Sequence, residues 1–158
     1  MHSFATIEEF ARFKTATFYT LKEENAALSE TDDFLKRMRE ESDFRSQVNR
    51  LLRLIENIGN HKEGAVYDLF RQERLCIALP PKGRYQGEID LRLYCFWVSE
   101  RIVILFNGGL KTANKAQDCP NVSHHFYNAQ GWARQLIEIG IESEGQTITN
   151  IEELYIKY

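Results

Sequence analysis

The chain has 158 residues, 43% of them hydrophobic, with ten Phe, seven Tyr and two Trp and a formal net charge of −3. That length suits one domain with a proper core, and the apolar and aromatic content excludes a disordered chain. No apolar run approaches the ~18 residues a membrane span needs, residues 1–14 hold no apolar signal core, and the cysteines (Cys76, Cys95, Cys119) are odd in number and widely spaced, so a reduced, cytoplasmic protein without a membrane partner is expected.

Residues 1–14 (MHSFATIEEFARFK) predict a short amphipathic helix and an N-terminal extension to the domain. Thr15 to Leu21 is β-prone and reads as the first strand, with a polar loop from Lys22 to Ser29. Ser29-Glu30-Thr31-Asp32 offers competing helix N-caps and an acidic first turn. Phe34, Leu35 and Met38 then mark the apolar face of a helix. Ser42 is suited to cap a second helix, in which Phe44, Val48, Leu51, Leu52, Ile55 and Ile58 recur at helical spacing, and Gly59 stands where a left-handed C-cap is expected. Residues 31–59 therefore predict a helical hairpin that covers a sheet.

Gly64 to Ala78 fits helix or strand, with Leu75 to Leu79 favouring a strand, and Pro80-Pro81-Lys82-Gly83 opens a surface loop that lasts to residue 90. The stretch LRLYCFWVSERIVILF (91–106) is two apolar runs parted by Ser99-Glu100, a β-hairpin whose near-continuous apolarity implies cover on both faces and a central place in the sheet. Asn107-Gly108-Gly109 predicts a sharp turn at positive φ that delivers Lys111 and Lys115. Asp118-Cys119-Pro120-Asn121 is a breaker, and Asn121 or Ser123 can cap a helix running to about Glu138. Residues 146–149 and 154–158 are β-prone and suit a final edge strand. The order gives an α+β fold in a single domain: a twisted, mostly antiparallel sheet of four to five strands with the helical hairpin packed on one face.

The charge is unevenly spread. Arg71 to Lys115 holds eight basic and four acidic residues, against an acidic surplus in the first seventy. There is no G-x-G-x-x-G, P-loop or C-x-x-C. His124 and His125 are adjacent, so on a helix they point about 100° apart and do not make the usual i, i+4 chelate. No metal or cofactor is expected. What remains is a set of cations on or beside strands: Arg71, Arg74, Arg92, Lys111 and Lys115. Arg92, in an otherwise apolar run, either pairs with Glu88 or Asp90 at the sheet edge or offers a rigid guanidinium fork to a phosphate.

The runs YDLFRQE (67–73) and LRLYCFWVSERIVILFNGGLKT (91–112), followed by a helix near Asn121, resemble the RelE/ParE/HigB toxin superfamily. Leu69 and Arg71 resemble its leucine-arginine element, Arg92 with Tyr94 and Phe96 its arginine-bearing strand, Ile102 to Phe106 the hairpin strand, and Lys111-Thr112 its lysine-threonine signature. The helical hairpin after a first strand fits its β-α-α-β order. The resemblance implies a RelE-like fold and the toxin of a type II toxin–antitoxin system, a metal-independent endonuclease acting on mRNA in the ribosome, with an antitoxin protein, mRNA and the ribosome as partners. On that basis Arg71, Arg92 and Lys111 are the catalytic phosphate contacts, with Arg74 and Lys115 as further RNA contacts. The departures are a missing lysine before Lys111 (Leu110), an acidic overall charge, and no matched proton-shuttling residue, for which Tyr155, Tyr158 and His125 are candidates. A non-catalytic gyrase inhibitor or an RNA- or protein-binding module of the same fold is the alternative.

Overall fold

A computed structural model describes residues 2–83, 88–112, 120, 122–149 and 154–157. At its centre lie two nine-residue strands, β5 (Leu91–Ser99) and β6 (Ile102–Leu110), paired antiparallel. Successive strand residues point to opposite faces. Leu91, Leu93, Cys95, Val103 and Leu105 face one buried cluster, and Tyr94, Ile104 and Phe106 face another. Both faces are covered, which is why neither strand alternates apolar with polar. The predicted hairpin is present, its loop shifted by one residue to Glu100-Arg101, because Ser99 pairs with Ile102.

Around this hairpin stand β1 (His2–Arg12), β2 (Thr17–Glu23), β3 (Arg71–Glu73), β4 (Cys76–Leu79) and β9 (Leu154–Lys157). The order across the sheet is β3-β4-β5-β6-β2-β1-β9, with every adjacent pair antiparallel except β2 and β6. The mostly antiparallel α+β prediction holds, but the sheet has seven strands rather than four or five. A separate two-stranded ribbon pairs β7 (Ser143–Glu144) with β8 (Thr147–Ile148). The expected C-terminal edge strand is β9, which lies against β1.

The helices α1 (Glu30–Glu40) and α2 (Ser42–Gly59) cover one face of the sheet through Phe34, Leu35, Met38, Val48, Leu51 and Ile55. Ser29 is the cap at the start of α1, its Oγ accepting from the Asp32 N–H at 3.1 Å. The other face is covered by α3 (Ser123–Ile139), through Phe126, Ala129, Trp132, Ala133 and Leu136. Each of the larger aliphatic and aromatic side chains, fully buried, stabilises the fold by roughly 1.5–3 kcal/mol, and each alanine methyl by under about 1 kcal/mol. Among the described residues no helix is long and apolar enough to cross a membrane.

Four local expectations are overturned. Residues 2–12 are a strand, not a helix and not an appendage: β1 joins the sheet between β2 and β9. Ser42 is the first residue of α2 and Glu41 occupies the cap position. Gly59 is the last helical residue, and the chain leaves through Asn60 at φ −103°. The glycine is needed there because a Cβ would collide with the Phe13 ring. Finally, Asn107-Gly108-Gly109 does not turn. It continues β6 across an irregularity, since Leu93 pairs with Gly108 while Cys95 pairs with Leu105. The extra residue is a β-bulge. Gly108 is required because a Cβ would run into the Arg92 carbonyl oxygen.

Candidate anion-binding site

The residue register carries charge to one end of the sheet on the α3 face. Arg71 pairs with Ala78, and Ala78 with Tyr94, so the three stand in one row across β3, β4 and β5. Arg92 precedes Tyr94 by two residues and shares its face. It pairs with Gly109, where the neighbouring strand offers no side chain. Lys111 follows β6, and its N–H donates to the Asp90 carbonyl at 3.0 Å, which extends the ladder one residue beyond Leu110. Arg71 opens a strand of its own rather than merely preceding the one that begins at Cys76.

The structure brings Arg71, Arg92 and Lys111 within electrostatic reach of one another. Arg92 is pushed down in pKa by burial and then by Arg71, against the pull of Tyr94, Glu73 and Asp90. Lys111 is lowered by burial and by Arg92, with Arg71 and Lys82 adding to the effect and Glu73 opposing it. Arg71 is lowered by burial, with Glu73 and Tyr94 opposing. Glu73 is thus the carboxylate that all three feel. Among the described residues none of the three cations makes an ion pair.

The side-chain hydrogen bonds of the two arginines go to main-chain oxygens instead. Arg71 Nε donates to the Pro80 carbonyl at 3.2 Å. Arg92 Nη1 donates to the carbonyls of Leu91 at 3.0 Å and Ile89 at 3.3 Å. These bonds fix the guanidinium without neutralising it, and Arg92 Nε is buried with no hydrogen-bond partner among the described residues. Neither Glu88 nor Asp90 pairs with Arg92; Glu88 lies 3.7 Å from Arg50. Partly desolvated cations that repel one another, with an unused donor, are satisfied by an oxyanion carrying several acceptor oxygens.

Arg74 lies beside this group. Its guanidinium sits over the Phe126 ring, 5.6 Å from the centroid, and the same ring meets Tyr94 edge-on at 5.9 Å. Arg74 is also the first of the two residues joining β3 to β4, at φ +58°, a conformation non-glycine residues seldom adopt. Gln130 clamps that turn. It accepts from the Leu75 N–H at 2.9 Å and donates to the Glu73 carbonyl at 2.7 Å. Lys115 lies outside the described residues, as do Asn121 and Cys119.

Several of these partners were not marked by the sequence. Glu73 looked like one charge among many, and Lys82 like a solvated loop residue. Gln130 carried a legible signal, being polar on the apolar face of α3 and therefore in need of partners. A second polar cluster beyond the bulge was missed altogether. There the Asn107 amide donates to Glu30 at 2.7 Å and Asp33 at 3.0 Å, and its oxygen accepts from Arg37 and the Gly108 N–H. Burial raises the Glu30 carboxyl, whereas Asp33, despite burial, is held low by hydrogen bonds from Asn107 and Arg37. His125 is pushed down to about 4 by burial, then by His124 and Arg37, with Asp33 opposing. Comparison with protein-family models, curated proteins and solved structures finds no match to this chain.

Proposed function

We propose that the Arg71–Arg92–Lys111 cluster binds the scissile phosphate of RNA and that the protein is a RelE-like ribosome-dependent mRNA endonuclease, the toxin partner of an antitoxin. The observation that carries this reading is the set of mutually repelling, half-buried cations without an ion pair among the described residues, one of them with a buried, unused Nε donor. The order β2–α1–α2–β3 followed by the β5–β6 hairpin and α3 supports it, because it agrees with the superfamily's β-α-α-β order.

The chemistry asks little more of the site than charge. The 2′-hydroxyl of one nucleotide attacks its own 3′-phosphate; a P–O bond forms as the hydroxyl proton departs. The bond to the 5′-oxygen of the next nucleotide breaks, and that oxygen takes up a proton. Between these events the phosphorane carries added negative charge on its equatorial oxygens. Fixed cations lower its energy without reorganising at the moment of reaction. An antitoxin segment bearing carboxylates would neutralise the same face.

The test is to express the wild type, Arg92→Ala and Lys111→Ala and to map mRNA ends on translating ribosomes. Cleavage by the wild type that falls on the order of 10²-fold or more in each variant supports the reading. Cleavage that survives both substitutions overturns the site. RNA binding without cleavage, weakened in the variants with a flatter salt dependence, leaves the binding module as the better description.

A further inference from the structure

Building on that reading, we propose that the exposed ledge of α3 around Tyr127 and Gly131 stacks an unpaired base of the same RNA strand whose phosphate lies on Arg71, Arg92 and Lys111. Three observations meet there. The first is continuity with the cationic site: Tyr94 touches Phe126, and Phe126 meets Tyr127 edge-on at 5.3 Å between ring centres. Tyr127 is therefore two ring-to-ring steps from the row that carries Arg71. The second is exposure. Tyr127 is 54% exposed, although it follows two buried residues on the helix, and Leu75, whose N–H is held by Gln130, is 45% exposed on the adjoining turn.

The third is Gly131. A glycine in the middle of a helix is unfavourable compared with alanine. Here a Cβ would meet nothing within 4 Å, so packing does not demand its absence. It lies one turn beyond Tyr127 on the same side of α3, and the exposed Arg134 follows one turn later at i+7. The result is a flat, uncluttered strip beside an aromatic ring, with Arg74 held on one side and Arg134 at the far end. A single-stranded nucleic acid fits that chemistry. Stacking on an aromatic ring tolerates any base, and cations along the path answer the phosphates.

Binding of a short fluorescein-labelled oligoadenylate RNA and of the matching abasic ribose–phosphate oligomer, measured by anisotropy over a salt series, tests the ledge. Tyr127→Ala should weaken oligoadenylate binding roughly tenfold or more, leave the abasic oligomer unaffected and keep the salt slope. Tyr127→Phe should bind as the wild type does. Arg92→Ala should weaken both oligomers and flatten the salt slope. If Arg92→Ala weakens binding but Tyr127→Ala does not, or if the wild type binds both oligomers equally, the ledge is wrong and the phosphate site stands. If the wild type binds neither oligomer, both fail together.

Discussion

Two polar clusters flank the final third of β6, and they differ in how their charges are answered. On the side of α1, Asn107 joins Glu30, Asp33 and Arg37 in a network where donors meet acceptors and a cation meets a carboxylate at 2.9 Å. On the side of α3, three cations share the field of one carboxylate, and the side-chain hydrogen bonds of the two arginines go to carbonyl oxygens. The first cluster is complete without a ligand and ties α1 to the bulge, where Thr31 also donates to the Phe106 carbonyl at 2.9 Å. The second is held in place by the fold but not neutralised by it. Polarity alone does not tell them apart; the uncancelled charge sets the second apart from the first.

The comparison breaks most sharply at Asn107. Asn107→Ala strips hydrogen bonds from two carboxylates and a guanidinium inside a partly buried network, so it should cost on the order of 3 kcal/mol of stability. Urea unfolding would measure this, and RNA affinity per folded molecule should change little. Arg92→Met is the opposite experiment. It keeps the apolar stem, removes a repelling charge, and should leave the unfolding midpoint equal or higher. If the proposed endonuclease activity is present, it should nevertheless fall about 10²-fold, equivalent to about 2.7 kcal/mol of barrier. An Arg92→Met variant as destabilised as Asn107→Ala would show that the cations hold the fold rather than wait for a ligand.

Much of the fold could be read from periodicity, and the failures have physical causes. The central hairpin and the two-helix layer were legible because long apolar runs leave few alternatives. The N-terminal strand was not. Phe4, Ile7, Phe10 and Phe13 recur every third residue and imitate a helix. In the sheet Ala5 and Ile7 face the α3 core, the register slips between Glu9 and Ala11, and Phe10 and Phe13 pack against the other core. The three-residue spacing came from apolar residues on both faces of one strand, with the slip returning Phe13 to the face of Phe10. At Asn107-Gly108-Gly109 the same motif class was read as a turn because glycine permits positive φ; its actual role was close approach to the Arg92 backbone. The charges of the site were visible in sequence, but which were answered was not, since that depends on neighbours such as Glu73 brought in by register.

The closed cluster should also make itself felt in pH. His125 is neutral in the folded protein down to about 4, whereas an unfolded histidine takes a proton near 6.5. Between those values the unfolded state binds the extra proton, so stability falls as pH drops from about 6.5 towards 4. The loss is on the order of 2–3 kcal/mol. Glu30 works in the opposite sense, its raised carboxyl binding a proton more readily when folded. Urea midpoints across this window should fall more steeply for the wild type than for His125→Gln, and equal slopes would remove His125 from the account.

The smallest effect separates strain from charge at the edge of the open cluster. Arg74 holds φ +58° in a two-residue turn, where a non-glycine residue costs roughly 1–2 kcal/mol. Its guanidinium recovers about 0.5–1 kcal/mol from the Phe126 ring. Arg74→Gly removes both, and adds about 0.5–1 kcal/mol of chain entropy to be lost on folding. Its net effect on stability should therefore lie within about 1 kcal/mol of zero. Arg74→Ala keeps the strained backbone and loses only the ring contact, so it should be the less stable of the two by up to about 1 kcal/mol. Both remove the same charge. If Arg74 serves RNA through its charge, the two variants should lose RNA affinity equally, with salt slopes reduced by about one, despite their different urea midpoints. Affinity that instead tracks the midpoints would mean that Arg74 acts through the hairpin it strains, and that the cationic surface ends at Arg71.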